Sequence, residues 1–321
     1  KPQSTDLIGI HYGVKQAFAR KVGTYEVKLY LKQSGKTLTS LTYRFTITAK
    51  DFAKEPEPPV EPKPPTPEPK PDPIPDPTPP VGDDDIPEAL KTHVVAFDFT
   101  GQYCGYCAAA LNSVARAKNS LGEYFLPVAL QSRGYNKGNA LLSEDFYMYH
   151  GLYKPSGYPN IFIGNNKEKV YHAYLEGRAR ALIAEKPQAK IRFSATNTAE
   201  QVTVHFKALP NNGMTPPSDV RVLFLLVQNN MVAFQINMSN TYSHQHVLRR
   251  GLNNRWENHG SSQWVWGDTY RYGTDFTATF HLEQARYSGS MDIVPKDCEV
   301  IAILLDATTK KFVNAASAHL K

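Results

Sequence analysis

Cys104 and Cys107 stand two residues apart in the stretch Asp98-Phe99-Thr100-Gly101-Gln102-Tyr103-Cys104-Gly105-Tyr106-Cys107. A short apolar run, Val94-Val95-Ala96-Phe97, precedes it and Ala108-Ala109-Ala110-Leu111 follows, which places the pair at a strand-to-helix junction. The spacing lets both sulfurs sit in one helical turn. There the unpaired N–H groups and the positive dipole end of the helix favour a thiolate, the attacking form in disulfide exchange. On this reading Cys104 is the candidate nucleophile and Cys107 the resolving partner. Two other chemistries use the same pair. A disulfide that forms and never turns over needs only the two sulfurs. A zinc site needs two further ligands, and the third cysteine, Cys298, is distant and has no CxxC of its own.

These residues resemble the thioredoxin superfamily. Its members carry an aromatic residue before Cys-x-x-Cys, a glycine inside it and an acidic residue six positions before the first cysteine. Tyr103, Gly105 and Asp98 hold those positions here. The resemblance implies that Asp98 is a buried carboxylate that helps the second cysteine lose its proton. It also implies a cis-proline facing the dithiol. Gly157-Tyr158-Pro159-Asn160, followed by the strand-like Ile161-Phe162-Ile163-Gly164, fits that mark, and proline is the one residue for which cis costs little. An ordinary trans-proline turn fits the same four residues. By the resemblance, the Tyr158 backbone pairs with an incoming substrate strand and Tyr103 contributes to substrate binding. The dipeptide Gly105-Tyr106 lacks the proline of reducing thioredoxins, which leaves the direction of exchange open.

The surrounding pattern supplies elements to hold such a site. A strand is expected near 93–99, a helix over 104–120 with Leu111, Val114 and Ala115 on its apolar stripe, and a strand over 123–130. A helix over 139–149, with Ser143 as a possible cap, precedes Pro159 and a strand at 160–163. Asn165-Asn166-Lys167 is a turn, Val170 to Tyr174 returns as a strand, and 176–185 is a helix ending before Pro187. Between Cys107 and Pro159 the chain is rich in tyrosine, at 135, 147, 149 and 153, which suits either a peptide groove or ordinary packing.

On either side the character changes. Residues 1–52 alternate with period two over 23–31 and 38–47 around the turn Gln33-Ser34-Gly35-Lys36, a hairpin similar to the late strands of immunoglobulin-like modules. A full sandwich of that kind takes about 100 residues, so this segment is expected to be part of one. Residues 53–85 are a linker: 14 of the 25 positions from Pro56 to Pro80 are proline, a composition that forms polyproline II and no core. Residues 189–321 show strand patterns at 191–193, 201–207, 219–227, 232–236, 276–282 and 299–305, which suggest an all-β sandwich. Residues 237–273 read as a long loop holding His244, His246, Arg249, Arg250 and three tryptophans. His244-Gln245-His246 has the alternation of a metal pair but no completing ligand nearby, so no metal is expected. Cys298 opens an apolar strand and is expected to be a buried, inert thiol.

The expected class is therefore α+β and multidomain. It comprises a β-sandwich fragment (1–52), a Pro-rich linker (53–85), a thioredoxin-like α/β domain (86–188) and a C-terminal all-β sandwich domain (189–321). The chain carries a net charge of +6. Residues 1–52 hold nine of its 36 Lys/Arg and three of its 30 Asp/Glu, and the remaining 27 of each sign cancel. With no aromatic-rich nucleic-acid motif, the charge points to no nucleic-acid partner. No apolar run approaches the roughly 20 residues that span a bilayer. Lys1-Pro2-Gln3-Ser4 shows no secretory h-region, as in a chain whose signal has been removed.

The layout as a whole is similar to the outer membrane protein twenty-eight family of Bacteroidetes-type bacteria. The similarity rests on the dithiol motif, Val227-Gln228-Asn229-Asn230, Gln235 and Tyr242-x-His244-x-His246-Val247-Leu248-Arg249, over roughly residues 90–321. It implies an extracytoplasmic lipoprotein at the outer membrane, with a lipid anchor not visible in this chain. It also implies a protein substrate or surface partner. No cofactor is expected for exchange at the dithiol. Thiol–disulfide exchange and non-catalytic surface binding, or adhesion, are the two functions to be distinguished.

Overall fold

In the computed structural model, which describes residues 23–33, 36–47, 86–136, 140–164, 168–259, 261–282 and 291–321, the chain divides into two units, 1–77 and 78–321. In the first, the alternating segments pair as the expected hairpin, β1 (Gly23–Gln33) against β2 (Lys36–Ile47), with Leu29 opposite Leu41. The rest of the 1–52 segment, the 53–85 linker and the turn at 165–167 lie outside the described residues.

The second unit is built on one mixed sheet. Its central strands are parallel: β3 (Val94–Thr100) beside β4 (Phe125–Gln131), and β4 beside β12 (Val247–Gly251). All seven residues of β3 and of β4 are buried, as a parallel strand covered on both faces requires. On the β3 side the sheet continues antiparallel through β5 (Asn160–Ile163) to β6 (Glu168–Val170). On the β12 side it continues through β9 (Val220–Gln228) and β17 (Cys298–Asp306) to β18 (Phe312–His319). A short strand, β15 (Asp268–Tyr270), pairs with the other end of β9. Segments 86–188 and 189–321 thus enter a single sheet, joined where β12 meets β4.

The period-two alternation divides the core. Leu223, Leu225 and Val227 of β9 share a face with Phe97, Phe99, Val128 and Leu130, and α2 (Phe146–Tyr153) covers it with Phe146, Tyr149 and Tyr153. The opposite face has two covers. Over β3, β4 and β5 it takes α1 (Cys107–Leu121) and α3 (Leu175–Ile183), through Ala110, Val114, Ala117, Ala179 and Leu182. Over β9 and β17 it takes a three-stranded antiparallel sheet of β7 (Ala189–Asn197), β8 (Gln201–Pro210) and β16 (Phe276–His281). Sheet-on-sheet packing is therefore present in the C-terminal segment. Each fully buried Leu, Val or Phe in these layers contributes about 1.5–3 kcal/mol of transfer free energy.

Four expectations are corrected. The helix after the dithiol begins at Cys107, not at residue 104, because Gly101 to Tyr106 is spent in turns: the Cys104 amide donates to the Gly101 carbonyl and the Cys107 amide to the Cys104 carbonyl. The helix expected over 139–149 is α2, starting at Phe146. Ser143 donates its hydroxyl to the Arg249 carbonyl and Asp145 accepts the Gly251 amide, so the segment before α2 is tied to β12. Residues His172–Tyr174 form a 3-10 turn, not a strand. The long loop of 237–273 is mostly strand. It contains β11 (Ser239–His244), which pairs with β10 (Met231–Gln235), then β12, a hairpin of β13 (Arg255–His259) and β14 (Ser261–Val265), and β15. Among the described residues no helix is long and apolar enough to cross a membrane.

Candidate active site

Cys104 and Cys107 are joined as a disulfide, with their Cα atoms 5.3 Å apart. Cys107 opens α1 and Cys104 lies in the turn before it. No side chain caps this helix end and no acidic residue occupies its first turn, so its free N–H groups and positive dipole end are left facing the pair. The turn is held from behind. The Tyr103 amide donates to the Tyr135 carbonyl (2.8 Å), and a Cβ on Gly101 would fall 2.4 Å from Tyr135 Cβ, so only glycine lets the two segments approach this closely.

On one side of the pair lies an open cleft. The Tyr158–Pro159 peptide is cis, and Asn160 and Ile161 after it pair with Phe99 and Asp98 of β3. Tyr106, Ala109, Tyr158, Pro159, Lys169, Tyr171 and His172 are among the residues that line a space of about 710 Å³. Tyr106, from between the two cysteines, is 83% exposed there. The structure thus brings the dithiol turn, Tyr158 and Pro159 around one cleft.

The opposite side is covered. The β10–β11 hairpin lays its connecting turn along the dithiol loop. The Ile236 amide donates to the Gln102 carbonyl (2.9 Å) and the Gln102 side chain donates to the Phe234 carbonyl (3.0 Å). The Asn237 side chain donates to the Gly105 carbonyl (3.0 Å), and the Tyr103 and Phe234 rings lie 4.9 Å apart. The Tyr103 ring, still 46% exposed, therefore lies against the hairpin and outside the set of residues that line the cleft with Tyr158. Cys104, between the residues the hairpin holds, is only 4% exposed.

Asp98 sits beneath. The alternation that sends Val95, Phe97 and Phe99 to the α2 face turns Asp98, with Val94 and Ala96, toward α1. Its carboxyl is 1% exposed, neither oxygen has a partner among the described residues, and burial pushes it up to about 7. It lines a cavity of about 250 Å³ with Leu111, Val114, Lys118, Tyr242 and His246.

The remaining candidates lie elsewhere. His244 ends β11 with its Nε2 3.3 Å from the Phe234 carbonyl, and burial lowers it to about 4. Cys298 is a buried free thiol that donates to the Val294 carbonyl, and burial pushes it up to about 12, far from the thiolate form at neutral pH.

Neither a family model nor a curated protein matches the chain. Among solved structures it is similar to HBP35 of Porphyromonas gingivalis, at a TM-score of 0.56 and 17% identity over 73% of this chain and 77% of that one. It also matches a domain of the outer membrane lipoprotein Omp28 from Porphyromonas gingivalis, at a TM-score of 0.31 and 17% identity over 43% of this chain and 91% of that one. A third match is a protein from Agrobacterium tumefaciens, at 0.47 and 15% over 70% and 93%. At these identities the first likeness is one of fold.

The sequence reading names Leu111, Val114, Ala115, Tyr242 and His246 for other reasons but misses the β10–β11 pairing and the cavity these residues line with Asp98. A signal for the hairpin was present. Val232 to Phe234 and Tyr242 to His244 flank Asn237, Ser239 and Asn240, turn-forming types between two alternating segments. Lys118 lies on α1 while Tyr242 and His246 lie in one stretch more than a hundred residues on, so nothing local joins them to Asp98, although the stretch itself stands out in the sequence.

Proposed function

We propose that this chain is an extracytoplasmic, outer-membrane-associated protein whose thioredoxin-like portion carries out thiol–disulfide exchange on protein substrates. The observation that carries this reading is the Cys104–Cys107 disulfide at an uncapped helix N-terminus, beside the cleft bounded by Tyr106, Tyr158 and Pro159. From the reduced pair, the Cys104 thiolate attacks one sulfur of a substrate disulfide. A mixed disulfide forms, and the other substrate sulfur leaves as a thiolate that takes a proton from solvent. Cys107 then passes its proton to Asp98 and attacks Cys104. The Cys104–Cys107 bond forms, and the second substrate thiolate departs and is protonated. Two electrons pass from the pair to the substrate, which ends as two thiols; the reverse sequence oxidises a substrate dithiol. No cofactor enters. The residue-level likeness to the outer membrane protein twenty-eight family supports a lipid anchor at the outer membrane, and an oxidised cysteine pair supports an oxidising compartment.

The test is the reduction potential of the pair, measured by equilibration in graded glutathione buffers, trapping of free thiols and counting of adducts by mass. A midpoint between about −120 and −270 mV is the expected result for a working oxidoreductase, whereas a pair still oxidised below about −300 mV behaves as a structural disulfide and overturns the proposal.

One observation favours a second reading, a surface binding or adhesion protein in which the thioredoxin-like portion is a scaffold: Cys104 is 4% exposed, in a loop that the β10–β11 hairpin holds through Asn237 and Gly105. Cys104→Ser separates the two. Loss of exchange with partner binding intact supports the first, and unchanged function with lower stability supports the second.

A further inference from the structure

Asp98, Ala129 and the residue before Val247 lie in one row across the three parallel strands. Asp98 pairs with Ala129, Ala129 pairs with Val247, and the Ala129 amide donates to the His246 carbonyl at 2.8 Å. All three residues of the row line the cavity of about 250 Å³ beneath α1. Leu111, Val114 and Pro127 make its apolar wall. Ala115 and Asn119, both exposed on α1, stand at its mouth.

We propose that this cavity is the proton outlet of Asp98, a water-filled passage to solvent in which Tyr242 and His246 act as positioning residues that hold the water in line. The proposal rests on the exchange reading, in which Asp98 takes a proton from Cys107 once in each cycle. A carboxyl that accepts a proton must release it before the next cycle. Asp98 cannot do so directly, because its strand is covered on both faces and its own exposure is near zero.

The cavity meets the physical requirements for water. A buried water needs two to four polar partners and takes up about 30 Å³ of liquid volume, so there is room for several. The partners are at hand: both Asp98 oxygens and the His246 Nδ1 have none among the described residues, and Tyr242 lines the same space. In release, the Asp98 O–H bond breaks toward the first water. A proton passes from water to water, and one leaves at the mouth; no electrons move.

His246 is fixed for this task by its backbone. Its φ is +54°, and its amide donates to the Asn229 side-chain oxygen at 2.8 Å while its carbonyl accepts from Ala129. Such a left-handed conformation is uncommon for a residue other than glycine, and here both backbone hydrogen bonds hold it. The ring stays neutral at neutral pH. Burial lowers it to about 4, the charges of Lys118 and His319 add to this, and Glu299 opposes it. A neutral imidazole offers one donor and one acceptor. Lys118 is itself lowered by burial and is tied to the Phe125 carbonyl at 2.9 Å. Burial and the Asp98 charge raise the Tyr242 hydroxyl, so it keeps its proton.

The experiment follows the Asp98 carboxyl itself in the full oxidised chain. Its protonated C=O stretch is assigned by infrared difference against Asp98→Asn, and its O–H to O–D exchange is timed after a jump into D₂O. The comparison takes in the wild type, His246→Phe and the surface variant Ala115→Phe, whose added ring closes the mouth. The expected result is exchange slowed tenfold or more in both variants, with partial restoration in His246→Phe by added imidazole. Unchanged exchange in both overturns the proposal. The infrared readout needs no turnover. Slowed exchange in a chain inert toward every disulfide leaves the outlet standing and removes the exchange reading. Active disulfide exchange with unchanged infrared rates does the reverse.

Discussion

Asn237, at the tip of the β10–β11 hairpin, donates its side-chain amide to the carbonyl of Gly105, the residue between Cys104 and Tyr106. The turn that carries the cysteine pair is thus hydrogen-bonded to a segment more than a hundred residues away. One such bond is worth about 1 kcal/mol net, and a ring pair like Tyr103–Phe234 about 0.5–1.5 kcal/mol. The double variant Phe234→Ala, Asn237→Ala should therefore release the hairpin by about 2 kcal/mol, or roughly 30-fold in its open population. Reduction of the disulfide by glutathione should quicken by about the same factor, read as free thiols against time. An unchanged rate would mean that thiols reach the pair from the cleft side.

Asp98 makes stability depend on pH in a direction opposite to most carboxylates. Its folded-state value, about 7, lies above the unfolded value near 3.8, so the native state holds the proton more tightly. The contribution is neutral below about pH 4, turns unfavourable as pH rises, and is complete above about pH 7. At about 1.4 kcal/mol per pH unit the full effect is on the order of 4 kcal/mol. Asp145, raised to about 6 by burial, works in the same direction. His244 and His246, lowered to about 4, work against it, since their stabilising effect is lost as pH falls from about 6.5 to 4. Asp98→Asn isolates the one group. The variant should match the wild type at pH 4 and exceed it at pH 8 in denaturant midpoint. Equal midpoints at both would mean that folding leaves the Asp98 carboxyl at its unfolded value.

The parts of this fold legible in the sequence are those whose signals are local. Val94 to Phe97 reads as a buried strand because every residue is apolar, and the Cys-x-x-Cys follows directly. What stayed hidden depends on distant partners. β12, the strand that joins the two halves of the sheet, contains Arg249 and Arg250 and reads as a polar loop. Arg249 is nevertheless buried, with its guanidinium donating to the carbonyls of Ala140 and Met291. The start of α2 was misplaced for a similar reason, since Asp145 is engaged by the Gly251 amide across the sheet. At the site, the resemblance that marked Asp98 carried no trace of the cavity beside it, because that wall comes from β11 and the turn after it.

Gly101 is the point where the dithiol loop and the 133–135 turn are pressed together. A methyl group there would meet Tyr135 Cβ at 2.4 Å and its carbonyl oxygen at 3.1 Å, and neither is the free end of a flexible chain. Gly101→Ala should cost about 1–3 kcal/mol, the usual range for overpacking. It should also break the Tyr103 amide's bond to the Tyr135 carbonyl and loosen the loop around Cys104. The combined signature is a lower denaturant midpoint together with faster alkylation of Cys104 in the reduced protein. A lower midpoint with unchanged alkylation would confine the strain to the 133–135 turn.

The cleft beside the pair makes a prediction about substrate size. Tyr106 and Tyr171 expose most of their ring surface, 83% and 63%, on the same wall system as Tyr158 and Pro159. An exposed aromatic ring that packs on a bound chain contributes about 0.5–1.5 kcal/mol beyond its area, so two of them are worth about tenfold in affinity. A peptide disulfide long enough to span the cleft should use both rings, whereas a small dithiol reacting with the oxidised pair uses neither fully. Tyr106→Ser with Tyr171→Ser should therefore lower the ratio of the peptide rate to the dithiol rate by about tenfold, with the loss in KM more than in kcat. Equal losses for both substrates would mean that the two rings act on the reactivity of the cysteines themselves, and the cleft would cease to be the place where a polypeptide lies.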